Sequence, residues 1–224
     1  MTGAGPSDAR TRTWPYRPAE PLDGRRMAAR SYDGDRPTMG LPAVLDLGDG
    51  TVTDLATIGV SIGIPEPWGS QIEAFRESFG DPVAGSVPAH VTLLPPTAVP
   101  VLAVPNVNAH LEWVARHAEP FELHLCGSDT FRPVSPVVFL KVVRGAPGCD
   151  ALQQGVRTGP LVRDLAFPYH PHVTVAHHLD EPALDLAFDS LADFRCAFHV
   201  ASVELYHHDH DGVWRVLDSF ALGG

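Results

Sequence analysis

The tripeptide His-Val-Thr is written twice, at His90-Val91-Thr92 within VPAHVTLLPP and at His172-Val173-Thr174 within YHPHVTVAHH. Each copy lies in a short run rich in Val and Thr that is bounded by Pro or polar residues, the pattern of a β-strand. Residues i and i+2 of a strand point to one face, about 7 Å apart along the backbone, so each copy presents an imidazole and a hydroxyl side by side. Two such strands brought together in one fold would gather two histidines and two threonines over a single cleft. No other feature narrows the possible folds so far.

The remaining elements fit that requirement. The run TIGVSIGIP alternates, with Ile58, Val60, Ile62 and Ile64 on one face and Gly59, Ser61 and Gly63 on the other. It reads as a strand with one packed face and one nearly bare face, and bare glycines mark close approach by a ligand or by another backbone. A helix follows. Ser70 and Glu73 form a Ser-x-x-Glu capping box, and Trp68, Ile72, Phe75 and Phe79 follow helical spacing up to Gly80. Pro95 and Pro96 close the first His-Val-Thr strand, and a second helix runs from about Asn106 to His117 with Val107, Leu111 and Val114 inward. Strands at FELHLCG and at Val137 to Val143 precede a helix beginning near Asp150. After the second motif, Asp180 and Pro182 open a helix carrying Leu184, Phe188 and Leu191. Asp211-Gly212 between two alternating runs marks a closing hairpin. The expected fold is α+β: two pseudo-symmetric antiparallel sheets with helices outside and a central cleft.

With 224 residues, of which 44% are hydrophobic and 19% charged, the chain can bury a sizeable core. Residues 1–50 are expected to be a disordered tail and 51–224 a single domain, with folding beginning near Leu55. From Met1 to about Pro42 the sequence is rich in Arg, Asp, Pro and Gly and lacks apolar periodicity. A partner-binding arm, or a start of translation at Met39, are alternative readings of that stretch. The formal charge of -11 argues against a general binder of long nucleic acid and leaves a small anionic ligand open. Cys126, Cys149 and Cys196 are odd in number and contain no Cys-x-x-Cys pair, so a disulfide framework and a zinc ribbon are excluded and a reducing cytoplasm is expected. No apolar run approaches the roughly 18 residues of a membrane span, and the N-terminus lacks a hydrophobic signal core.

Histidine suits the doubled motif to a definite chemistry. With an ordinary pKa near 6.5, one imidazole can accept a proton while another donates one. Two histidines across a cleft can therefore run an in-line displacement at phosphorus, and threonine hydroxyls can donate to the non-bridging oxygens whose charge must be held. His90, Thr92, His172 and Thr174 are the candidate catalytic residues. The repeated motif, the element order and the aromatic-x-Pro-His run YHPHVT together resemble the 2H phosphoesterase superfamily, and within it the bacterial 2'-5' RNA ligase-like (LigT-type) proteins, over about Leu55 to Leu222. The resemblance implies cleavage of 2',3'-cyclic phosphate ends to 2'-phosphomonoesters without metal or cofactor, with some members joining RNA ends reversibly through 2'-5' bonds. By analogy His172 activates water and His90 protonates the departing ribose oxygen.

Tyr169 is a candidate substrate-binding residue that stacks on a base or closes the pocket, with core packing as the alternative. Lys141, Arg144 and Arg163 are the nearest basic residues to the motifs, and without a clear basic strip a cyclic nucleotide or a short RNA end is the expected partner. Neither a membrane nor a protein partner is expected, and the chain is expected to be a monomer. Two other readings stand beside this one: a nucleotide-capturing module without turnover, and a metal-dependent hydrolase built on His207, His208 and His210 with Asp209 and Asp211. His170, His177 and His178 flank the second motif and have no assigned role.

Overall fold

Period-2 and period-3.6 patterns settle into strands and helices largely where the sequence places them. The computed structural model describes residues 44–46, 52–165 and 167–224. The expected tail over 1–43 and the alternative start at Met39 lie outside the described residues. The elements run β1 (Val44–Asp46), β2 (Val52–Gly63), α1 (Trp68–Ser78), β3 (His90–Pro100), α2 (Val104–Arg116), β4 (Phe121–Thr130), β5 (Val137–Arg144), α3 (Ala146–Val156), β6 (His172–His177), α4 (Glu181–Ser190), β7 (Arg195–Val200), β8 (Ser202–His208) and β9 (Trp214–Ala221).

The strands form two antiparallel sheets, and the architecture is α+β. In the first sheet β3 pairs with β2, β2 also pairs with β1 and β8, and β8 pairs with β9; the second has the order β6-β5-β4-β7. Each motif strand is therefore the terminal strand of its sheet, and the two motif strands contact each other. The expected alternation along β2 holds: Ile58, Val60 and Ile62 are 0–2% exposed. They join Val91 and Leu93 of β3, Val173 and Val175 of β6, Leu111 of α2 and Leu184 of α4 in one apolar cluster. Full burial of one such side chain is worth roughly 1.5–3 kcal/mol, so this cluster holds both motif strands in place.

Several local expectations give way to stronger constraints. The capping box does not form, because α1 begins at Trp68 with Pro67 as its N-cap, which puts Ser70 inside the first turn. Ser70 Oγ donates instead to Glu66 Oε1 at 2.7 Å, and Glu73 Oε1 accepts from Ala89 N at 3.2 Å. Pro95 and Pro96 do not end β3, which continues to Pro100. The β2–β3 register jumps from Val60↔Leu94 to Ile58↔Thr97, so both prolines fall in a bulge of an edge strand, where a missing N–H costs nothing. α2 and α3 start earlier than expected, since Pro105 and Pro147 sit in their first turns, where the fixed φ suits a helix. Asp180 caps α4 as expected, accepting from Ala183 N at 3.0 Å. Strand β7 is an addition to the expected elements, and β1 falls inside the expected tail.

Candidate active site

β3 and β6 bring His90, Thr92, His172 and Thr174 to the seam between the two sheets. Along each strand the motif valine is buried, Val91 and Val173 both at 0% exposure, which turns the flanking His and Thr outward to the cleft. His90 and Thr174, one from each motif, line a common cavity of about 330 Å³ together with Arg76, Asp81 and His177. His90 and Thr92 line a second cavity of about 120 Å³ with Ser61, Tyr206 and Trp214. The bare face of β2 thus borders the site, since Ser61 pairs with Thr92 and Gly63 with His90 in register.

The two motif histidines are held in the same way. His90 Nδ1 lies 2.7 Å from the carbonyl oxygen of Pro88, and His172 Nδ1 lies 2.6 Å from that of His170. A carbonyl oxygen only accepts, so each Nδ1 carries its proton and each neutral ring keeps Nε2 as a bare acceptor. The duplication therefore extends two residues upstream of the motif.

Both rings are partly exposed, yet protein surrounds them on most sides. Burial holds the His90 pKa below its ordinary 6.5, against a rise from the Pro88 hydrogen bond, while the Arg76 charge lowers it further and Glu204 raises it. His172 is pushed down to about 4, first by burial, opposed by the His170 hydrogen bond and reinforced by the charges of His170 and His90. Both imidazoles are thus neutral near pH 7, and an anionic phosphate seated between them would raise both.

Further residues shape the site that the sequence did not single out. Glu204 packs over Gly63, where an added Cβ would lie 2.7 Å from Glu204 Oε2, and Tyr206 donates its hydroxyl to the same oxygen. Burial, and secondarily Glu204, raise the Tyr206 pKa, so it stays a donor. Ser61 Oγ is buried near Tyr206 but outside hydrogen-bond geometry. On the other side, Phe131 and Phe139 stand edge-on to His172 with ring centroids 5.0 and 5.2 Å away. Arg76 is 5% exposed and binds Asp81 at 2.9 Å and the carbonyls of Val83 and Val87, tying α1 to the loop that leads into His90.

Tyr169 is partly buried against the core and donates its hydroxyl to the Thr92 carbonyl at 3.0 Å, which joins the segment before β6 to β3. Lys141 pairs with His172 across β5 and β6. Arg144 is held by Glu122 at 2.8 Å, and Arg163 reaches Thr97 Oγ1 at 2.6 Å. His177 and His178 stack with centroids 3.6 Å apart beside the larger cavity. His207 and His208 lie on β8 and His210 in the hairpin; Arg215 binds both Asp209 and Asp211, and His208 packs on Trp214. Among the described residues, no group of three or more His, Cys, Asp or Glu side chains is placed to hold a metal ion. No helix among them is long and apolar enough to cross a membrane.

Residues 64–212, more than half of the chain, match the model of the 2'-5' RNA ligase superfamily. The chain is 28% identical over 167 residues to the protein of Halalkalibacterium halodurans named "Putative phosphoesterase BH1439", covering 74% of this chain and 96% of that one. Its fold is similar to that of TT0787 of Thermus thermophilus, with a TM-score of 0.55 and 23% identity over 75% of this chain and 98% of that one. It is also similar to E. coli LigT in complex with NADP+, with a TM-score of 0.56 and 18% identity over 75% and 98% of the two chains. The doubled motif on facing edge strands and the family match agree: the chain belongs to the 2'-5' RNA ligase superfamily, the 2H phosphoesterases.

Proposed function

We propose that the protein is a phosphodiesterase that opens 2',3'-cyclic phosphates of nucleotides or RNA ends, or cleaves 2'-5' phosphodiesters, by two-histidine acid–base catalysis without a metal. The observation that carries this reading is the matched pair of imidazoles, each with Nδ1 fixed on a carbonyl and Nε2 left as the acceptor. Water attacks phosphorus and gives its proton to His172 Nε2. As the new P–O bond forms and the bond to the ribose oxygen breaks, His90 Nε2–H protonates that oxygen. The Thr92 and Thr174 hydroxyls donate to the non-bridging oxygens. Division of labour follows from surroundings: among the charges near His90 the Glu204 carboxylate favours the protonated ring, against Arg76, whereas the charges near His172, those of His170 and His90, all oppose its protonation. Joining of RNA ends would be the same displacement with the 5'-hydroxyl of a second strand in place of water: its oxygen bonds to phosphorus, its proton goes to His172, and the departing 3' oxygen is protonated by His90. Three free cysteines fit a reducing cytoplasm as its place of work.

The test is phosphorus NMR of the purified protein with 2',3'-cyclic nucleotides in excess EDTA, beside His90→Ala and His172→Ala. Turnover to a 2'-phosphate that survives the chelator and vanishes in both variants is expected. Turnover abolished by EDTA would overturn the metal-free reading, and binding without turnover would make the protein a nucleotide-capturing module.

A further inference from the structure

The open face of the second sheet carries a row of side chains that leads away from His172. Lys141 lies opposite His172 in the β5–β6 register and Phe139 opposite Thr174, so all four share one face. The alternate residues Leu140 and Val173 are fully buried on the other face. Across β4 and β7, Cys126 lies opposite Arg195, again on the face away from the buried Leu125 and Cys196. The β4–β5 ladder steps from Leu125↔Val142 to Ser128↔Leu140, which sets the bulge Cys126–Gly127 against Lys141. Gly127 has φ +69, and the Lys141 Nζ lies 3.7 Å from where a Cβ would stand, so the missing side chain leaves room for the ammonium on this face. His172, Lys141, Cys126 and Arg195 thus form one transverse row across β6, β5, β4 and β7.

The charges of this row are available. In a chain of net charge -11, Arg76, Arg116, Arg132, Arg144 and Arg215 each have a carboxylate within 4 Å, whereas among the described residues Lys141, Arg157, Arg163 and Arg195 have none, and of these Lys141 and Arg195 lie on the row. Arg195 rests one N–H on Cys126 Sγ at 2.9 Å. Asp129, opposite Phe139 one row away, turns its carboxylate back to Thr130 N at 2.8 Å. The matching row across the first sheet has the opposite sign: from Thr92 it passes through Ser61 to Glu204. A polyanion leaving the cleft is repelled on that side and attracted on the other.

We propose that the open face of β6-β5-β4-β7 carries the sugar–phosphate backbone of a short single-stranded RNA, with Lys141 and Arg195 on phosphates upstream of the reacting 3' end. This rests on the phosphodiesterase reading. Strands lie about 4.8 Å apart, so Arg195 stands roughly 14 Å from His172. At about 3.4 Å per phosphate of a stacked strand, the row serves at most about four nucleotides. The overall acidity of the protein is compatible with this, because the contact is a strip rather than a surface.

The experiment compares kcat/KM for a 2',3'-cyclic mononucleotide and for a short oligoribonucleotide ending in a 2',3'-cyclic phosphate, in wild type, Lys141→Gln and Arg195→Gln. The oligonucleotide-to-mononucleotide ratio is expected to fall about threefold or more in each variant, through KM. The log–log salt dependence for the oligonucleotide should flatten by about 0.7 per contact removed. Arg116→Gln, which removes a paired charge from α2, should leave the ratio alone. An unchanged ratio and salt slope in both variants would overturn the proposal. If neither substrate turns over, the phosphodiesterase reading fails on its own. Fluorescence anisotropy with a labelled 3'-phosphorylated oligoribonucleotide then decides the surface: weaker, less salt-dependent binding in Arg195→Gln supports it, and equal or absent binding overturns it.

Discussion

The Tyr169 hydroxyl donates to the backbone carbonyl of Thr92 at 3.0 Å, tying the segment before the second motif to the strand of the first. The bond crosses the seam between the two sheets, so it fixes one motif against the other. Burial raises the Tyr169 pKa, which keeps the phenol protonated and donating across the working pH range.

Tyr169→Phe keeps the ring in the core and strips only this bond. The Thr92 carbonyl is left without that partner, at a cost of about 1–2 kcal/mol. Urea unfolding should register that loss, and kcat for a cyclic nucleotide should fall more than KM rises, because both motifs persist but their spacing loosens. Equal stability of the variant and the wild type would refute a structural role for the hydroxyl.

Gly63 and Glu204 form a second dependent pair. A methyl at residue 63 would displace the Glu204 carboxylate, which lies where it must go, and would break the Tyr206 hydrogen bond. The displaced group is the end of a flexible side chain, so stability should change little. Since Glu204 raises the His90 pKa, its removal leaves less His90 protonated. The alkaline limb of the pH–rate profile should move to lower pH in Gly63→Ala and in Glu204→Gln, with kcat/KM at neutral pH down about tenfold, the effect of roughly 1.4 kcal/mol. The double variant should be no worse than either single one. Additive losses would mean that the two residues act separately.

The motif strands were legible in the sequence because alternation of period 2 fixes which residues face away from a buried valine. The same logic found the bare face of β2 and the inward stripes of α2 and α4. What escaped depends on pairing between distant segments. Glu204 and Phe139 look like ordinary strand residues, and only the register of β2 with β8, and of β5 with β6, puts them at the site, while Phe131, just past β4, reaches His172 by packing on Phe139. β7 escaped because an edge strand reading Arg-Cys-Ala-Phe-His-Val has one buried face and little turn punctuation. The carbonyls that fix the two imidazoles belong to backbone, which leaves no signature in side-chain type.

Acid should destabilise the fold through His172. Its folded pKa, about 4, lies below the ordinary 6.5, so the unfolded chain binds a proton more readily in this window. The contribution is fully present above about 6.5 and is lost progressively as pH falls towards about 4, below which nothing further is lost from this group. The window is worth on the order of 3 kcal/mol at most, less whatever solvent screens at the exposed edge of the ring. His90 acts in the same direction. Unfolding free energies at neutral and at mildly acidic pH, compared between wild type and His172→Ala, isolate the effect from carboxylates. The variant should lose less stability on acidification; an identical loss would place the acid sensitivity elsewhere.

Arg76 carries the loop that orients His90. Its guanidinium holds Asp81 and the carbonyls of Val83 and Val87, and Glu73 of the same helix accepts from Ala89 N. Pro88, between these anchors, supplies the carbonyl that holds His90 Nδ1. With side chains only 7% and 8% exposed, the Arg76–Asp81 pair is buried, and removing one partner leaves an uncompensated charge. Arg76→Met should therefore cost about 3–5 kcal/mol. Arg76→Met combined with Asp81→Asn should recover part of that stability, since it removes the orphaned carboxylate, but should not recover kcat, because the loop has still lost its anchor. Arg76→Lys should not rescue either property, as one ammonium cannot span three separated acceptors. Urea unfolding and cyclic-nucleotide turnover, measured on the three variants, separate the two contributions. A double variant no more stable than Arg76→Met would show that lost packing, and not the buried charge, sets the cost.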